Sequence, residues 1–218
     1  MGSDFMTPRR FADRHDAGRH LAARLQQYRG RDDVLVLALP RGGVPVAWEV
    51  AQALDAPMDV FVVRKLGVPG REEYAMGAIA SGGVRVLNDD AVQGLAIPQS
   101  VIDAVTMREA MELARREREY RGDRGMPDVR GKAVIVVDDG LATGATMLAA
   151  VRALRQMGPR QIVVAVPAGA PQTCHQLREE ADEVVCAIEP DPFTAVGVWY
   201  ADFSQTSDEE VRGLLQRR

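Results

Sequence analysis

Between Val134 and Thr146 the chain passes through an unbroken apolar run, two adjacent aspartates and a loop of small residues that opens a helix. Val134-Ile135-Val136-Val137 is of strand length and has no polar position, so both of its faces must be covered, as in an interior strand of a parallel sheet. Asp138-Asp139 stand at its carboxyl end, and Gly140-Leu141-Ala142-Thr143-Gly144-Ala145-Thr146 follows. Ligands of open parallel sheets bind beyond the carboxyl ends of the strands. A small-residue loop there exposes successive backbone N–H groups, and a helix start adds a positive dipole end. The two make an anion cradle to which the Thr143 and Thr146 hydroxyls add donors. Two carboxylates beside a phosphate would repel it unless they face sugar hydroxyls or a metal ion. No Gly-Lys-Thr or Gly-Lys-Ser follows, so this is not a Walker phosphate loop.

The rest of the chain alternates strand and helix at βαβ spacing. Phe11 to Tyr28 reads as a helix ended by Gly30, and Val34 to Leu39 as a buried strand followed by the turn Pro40-Arg41-Gly42-Gly43. Val44 to Leu54 is helical, Met58 to Val63 a second buried strand, and Arg64 to Gly77 a polar, Gly-containing loop. Pro98 to Tyr120 is a long helix with Val101, Ala104, Met107, Met111 and Ala114 as its packing stripe. Gly122 to Gly131 is a connector. Beyond the acid pair come a helix from Ala145 to Met157, a strand from Gln161 to Val166, a helix from Pro171 to Ala181 and a strand from Glu183 to Ala187. Ser207 and Glu210 have capping-box spacing at the start of a tail helix that runs to Gln216. The expected class is α/β, a central, mainly parallel sheet flanked by helices.

With 218 residues there is room for one such domain and an accessory segment. A net charge of -4 argues against a partner held by a general basic surface, so no nucleic acid is expected. No apolar run approaches the roughly 20 residues that span a bilayer, so no membrane is expected either. Cys174 and Cys186 lack metal-ligand spacing and read as reduced core residues of a cytoplasmic protein. His15, His20 and His175 form no cluster. Residues 1–6 show no secretory pattern; Met-Gly-Ser reads as cloning-derived or disordered sequence, with Met6 a natural start.

The segment Val134 to Thr146 resembles the signature of the type I phosphoribosyltransferases, which bind 5-phosphoribosyl-1-pyrophosphate (PRPP). The resemblance implies that Asp138 and Asp139 hold the ribose 2′- and 3′-hydroxyls and that Ala142, Thr143, Gly144, Ala145 and Thr146 hold the 5′-phosphate. By the same resemblance the turn at Arg41, Gly42 and Gly43 binds pyrophosphate, often in that family through a non-proline cis peptide. Arg64-Lys65-Leu66-Gly67-Val68-Pro69-Gly70 looks like the entry to the mobile catalytic loop of adenine-type members. Arg64 and Lys65, with Arg71 as helper, would neutralise pyrophosphate there. Hypoxanthine-type members carry an acid where this chain has Ala142; adenine-type members draw a loop glutamate, for which Glu72 and Glu73 are the candidates. Phe193 to Phe203 resembles the hood of purine enzymes, with Phe193 and Trp199 sandwiching a planar acceptor and Asp202 accepting its hydrogen bonds.

These likenesses set the expected domain plan: residues 1–6 as a cloning-derived or disordered N-terminus, 7–190 as the type I core with a helical insertion near 98–122, and 191–218 as a small hood-like tail. They imply a Mg²⁺-assisted transfer of phosphoribosyl from PRPP to a small-molecule nitrogen acceptor by a homodimer. Lys65, Arg41 and Glu73 are the expected catalytic groups. A PRPP sensor without catalysis, or a hydrolase or tailoring enzyme acting on another acceptor, is the alternative.

Overall fold

The apolar runs at 34–39 and 134–137 become neighbours in the middle of a five-stranded sheet in the computed structural model, which describes residues 10–216. The reading of residues 1–6 lies outside the described residues. In chain order the elements are α1 (Arg14–Ala22), β1 (Val34–Ala38), α2 (Gly43–Leu54), β2 (Met58–Val60), β3 (Val63–Val68), β4 (Arg71–Ala80), β5 (Val84–Leu87), α3 (Asp89–Gly94) and α4 (Gln99–Arg121). Then follow β6 (Ala133–Val137), α5 (Ala145–Met157), β7 (Gln161–Ala168), α6 (Pro171–Leu177), β8 (Glu183–Ile188) and α7 (Asp208–Gln216).

The main sheet has the order β2-β1-β6-β7-β8 and all four pairings are parallel. Alternate side chains of its strands enter two separate cores. Val34, Val36, Ala38, Ile135 and Val137 pack with α1, α2 and α7; Leu35, Leu37, Val134, Val136 and Val164 pack with α5 and α6. Both faces are therefore covered, which is why these strands read as continuous apolar runs. The expected class holds.

Three local expectations are corrected. First, residues 64–77 are no loop. β3, β4 and β5 form a separate antiparallel sheet in which Val63 pairs with Ala80 and Gly77 with Leu87. The strand expected over 58–63 is split, with β2 in the main sheet and Val63 already in the second. Secondly, the first helix is shorter than expected, with a separate 3-10 turn at Gln26–Tyr28. Thirdly, α4 turns its other stripe inward. Ile102, Val105, Glu109, Leu113 and Tyr120 are buried, whereas Ala104 and Ala114 are exposed, as are Met107 (69%) and Met111 (72%). Both stripes have helical spacing, and the inward one was masked by Glu109, whose charge is met by Arg64.

The tail helix starts as expected, with the Ser207 hydroxyl accepting from the Glu210 N–H at 3.0 Å. Among the described residues no helix is long and apolar enough to cross a membrane.

Candidate active site

Parallel pairing of β1 with β6 brings two turns together at their carboxyl ends. Ala38 is level with Val137, so the Pro40 to Gly43 turn lies against Asp138 and Asp139. The approach is close enough to require glycine: a Cβ on Gly43 would lie 2.6 Å from the Val137 carbonyl oxygen, and one on Gly42 would strike the Asp139 carboxylate. The Pro40–Arg41 peptide is cis. The Arg41 guanidinium stands 3.7 Å from Asp208 of α7.

The two aspartates are held differently. Asp138 accepts the Asp139 backbone N–H at 2.8 Å, and burial, followed by the charge of Asp139, pushes its carboxyl well above the usual carboxylate range. Burial raises Asp139 too, but Arg14 opposes the rise. From the start of α1 the Arg14 Nε and Nη2 reach Asp139 Oδ2 at 2.9 and 2.8 Å. Arg14 also donates to the Ser204 carbonyl at 2.6 Å, and its guanidinium lies 4.0 Å over the ring of Phe203. Tyr200 donates its hydroxyl to the Asp139 carbonyl at 2.5 Å. Arg14, Tyr200 and Phe203 were absent from the sequence-derived site. They come from opposite chain ends, and no local spacing could have linked them.

The small-residue loop is open where a phosphate would need it. Ala142, Thr143, Ala145 and Thr146 are exposed, and α5 begins immediately after Gly144, so its first N–H groups have no intrahelical partner. Gly144 has φ +70°, a conformation that favours glycine, and a Cβ there would also strike the Thr173 methyl. Thr173, at the start of α6, donates to the Ala142 carbonyl at 2.6 Å. It too was missed; it lies 31 residues along the chain.

Strand alternation separates Arg64 from Lys65, whose adjacency in sequence suggests one basic pair. Arg64 faces α4 and meets Glu109 Oε2 at 3.0 and 2.7 Å. Lys65 turns the other way, into a cleft of about 190 Å³ shared with Ala75, Gly77, Ala145 and Thr146. The Lys65 ammonium is 3.4 Å from the exposed carboxylate of Glu73. Glu72 accepts instead from the Gly70 N–H at 3.1 Å within the β3–β4 turn, and Arg71 is exposed at the start of β4.

In the tail the Phe193 and Trp199 rings are 6.4 Å apart, and Trp199 is only 9% exposed. Asp202 accepts the Ser204 N–H at 2.9 Å, which holds its carboxyl below the usual range.

What the arrangement offers is an anion cradle at the α5 start, an acid pair one loop away, a glycine turn facing that pair, and a lysine at the cradle's edge. Known proteins are similar to this chain over most of its length. The family described as "Phosphoribosyl transferase domain" matches residues 12–202. A provisionally named phosphoribosyl transferase of Mycobacterium tuberculosis, present in strains H37Rv and CDC 1551, is 51% identical over 207 residues. That match takes in 95% of this chain and 46% of the relative, so the chain spans about half the length of those curated relatives. The crystal structure of TT1426 from Thermus thermophilus shares 43% identity at a TM-score of 0.84, over 94% of this chain and 97% of that one. With the whole span from β1 to the tail inside the matched region, the chain belongs to the phosphoribosyl transferase domain family, with the type I fold.

Proposed function

We propose that this domain binds PRPP and transfers its phosphoribosyl group to a planar nitrogen acceptor with release of pyrophosphate. The observation that carries the reading is the convergence of the Gly42-Gly43 turn on the Asp138-Asp139 pair, beside the exposed Thr143 to Thr146 cradle. A ligand with a sugar diol between a phosphate and a second, larger anion matches that sequence of donors and acceptors. Ala142 to Thr146 take the 5′-phosphate, the aspartates the ribose hydroxyls, and Arg41, Gly42, Gly43 and Lys65 the pyrophosphate. Arg64 acts at one remove, by fixing β3 to α4.

In the reaction the bond from ribose C1 to pyrophosphate oxygen breaks and one from C1 to the acceptor nitrogen forms. Positive charge develops on the sugar and negative charge on the leaving group, so catalysis rests on preorganised charge. Lys65 and Arg41 stabilise the departing anion, and Glu73, beside Lys65, takes the acceptor's proton. The carboxylates of Asp138 and Asp139 would hold a hard cation such as Mg²⁺, which would supply neutralisation of the pyrophosphate charge. Phe193, Trp199 and Asp202 form the acceptor side.

A second reading, PRPP binding without transfer, draws on Trp199: the residue expected to stack the acceptor is nearly buried. A pyrophosphate-release assay with PRPP, Mg²⁺ and a panel of purines, pyrimidines and related heterocycles decides between them. Acceptor-dependent release is expected, with Lys65→Ala lowering turnover more than donor affinity. Release without acceptor would make the protein a hydrolase. Tight PRPP binding with no release under any condition would leave a sensor.

A further inference from the structure

Cys174 and Cys186 are 12 residues apart in sequence, on α6 and β8, and both are buried and free. Their sulfurs nonetheless meet, 2.6 Å apart. The place of meeting is directly behind the phosphate loop. Gly169, just past β7, is bridged to Leu141 of that loop, and a Cβ on Gly169 would strike the Cys174 sulfur and lie 3.3 Å from that of Cys186. Thr173, the neighbour of Cys174, supports the loop from below through Gly144 and the Ala142 carbonyl.

Two chemistries use a pair of neighbouring thiols. In a tetrahedral zinc site with Zn–S bonds of about 2.3 Å, two thiolate sulfurs stand roughly 3.7 Å apart. The present pair is too close to admit an ion between its members. The third ligand within reach, Glu189, is already paired with Arg178 at 2.5 Å. A disulfide, with its sulfurs about 2.05 Å apart, is the bond that this short separation approaches.

We propose that Cys174 and Cys186 are a redox-active dithiol that closes to a disulfide, and that closure stiffens the phosphate loop through α6. The oxidant is a small peroxide. One sulfur attacks a peroxide oxygen, the O–O bond breaks, and a sulfenic acid forms with loss of hydroxide. The second sulfur attacks the first, forms the S–S bond and expels the second hydroxide. The two thiol protons convert both hydroxides to water, so two thiols and one peroxide give one disulfide and two waters. Cys186 keeps 8% exposure and Cys174 none, so the oxidant has to be small. With Cys174 tethered to β8, α6 has less freedom and Thr173 holds Ala142 and Gly144 in place. A loop ordered in advance binds its anion more tightly.

The mass prediction stands alone, whereas the coupling rests on the phosphate-site reading above. Full-length protein is treated with hydrogen peroxide at low stoichiometry, denatured, alkylated and weighed, and a second portion is re-reduced with dithiothreitol before alkylation. The expected result is loss of about two mass units with neither cysteine alkylated, reversed by dithiothreitol. Cys174→Ser and Cys186→Ser are expected to form no intrachain bond. Two alkylated cysteines after peroxide, or oxygen adducts in place of the bond, would overturn the dithiol. Calorimetry with ribose 5-phosphate then compares oxidised and re-reduced wild type. Binding about threefold tighter in the oxidised form is expected, and equal or weaker binding would overturn the coupling. Ribose 5-phosphate that binds neither form would instead remove the phosphate site, while the mass result would still judge the dithiol.

Discussion

Asp138 and Asp139 are neighbours in sequence with unequal surroundings, because Arg14 faces only one of them. Among the described residues no cation bonds Asp138, and burial holds its carboxyl well above the range of an unfolded aspartate against the weaker pull of Arg14. A carboxyl whose folded value is raised favours folding below its unfolded value, and that contribution is lost as pH rises through the folded value. Asp138→Asn removes the charge at every pH. It is expected to raise the melting temperature of the ligand-free protein at pH 7–8 by about 2–4 °C, with the gain fading toward pH 4, while PRPP binding weakens. A melting curve at each pH checks it; an unchanged or lower Tm at pH 8 would show that the charge is compensated. Gly144→Val adds a side chain at φ +70° where Thr173 already fills the space. Loss of ribose 5-phosphate binding by at least tenfold is expected, read by calorimetry. At this scale the acid pair and the cradle were legible because each is a run of consecutive residues. Arg14 and Tyr200 were not, since they reach Asp139 across 125 and 61 residues and carry no local pattern.

Elements were legible where one periodicity acted alone. β6 and α5 lie where the sequence placed them, between clear apolar runs and glycine turns. The hairpin of β3 and β4 was lost because glycines and charges dominate residues 64–77, and its strands bury only part of one sheet. Period-two alternation is nonetheless present once Arg64 and Lys65 are assigned to opposite faces. α4 was legible as a helix and misread in its facing, since a buried glutamate looks polar until its partner is known. That partner, Arg64, ties the hairpin to α4, so the pair should couple the two elements. A double-mutant cycle with Glu109→Gln and Arg64→Met is expected to give an interaction of about 1 kcal/mol, limited by the part-exposure of Arg64. Urea denaturation measures it, and additive single effects would mean that apolar packing alone holds the hairpin.

At the scale of the molecule, the two chain ends close over the site together. The Phe11 N–H donates to the Trp199 carbonyl at 2.9 Å, and the Ala201 N–H returns a bond to the Phe11 carbonyl at 2.8 Å. Gly140 of the signature loop is bare because Val196 packs where its Cβ would be. Trp199, Tyr200, Val211, Leu214 and Leu215 all enter the same core as α1, α2 and one face of the main sheet. The tail is therefore also part of the fold's foundation. Five large side chains at about 1.5–3 kcal/mol each contribute on the order of the whole stability of a domain. Deleting residues 191–218 is expected to abolish cooperative thermal unfolding, where a detachable hood would leave the melt intact and remove only acceptor binding. Circular dichroism melting of the truncated chain, with ribose 5-phosphate calorimetry beside it, separates the two. A sharp melt with retained ribose 5-phosphate binding would establish the tail as separable; a broad, non-cooperative loss of signal is the outcome that the packing of Val211, Leu214 and Leu215 demands.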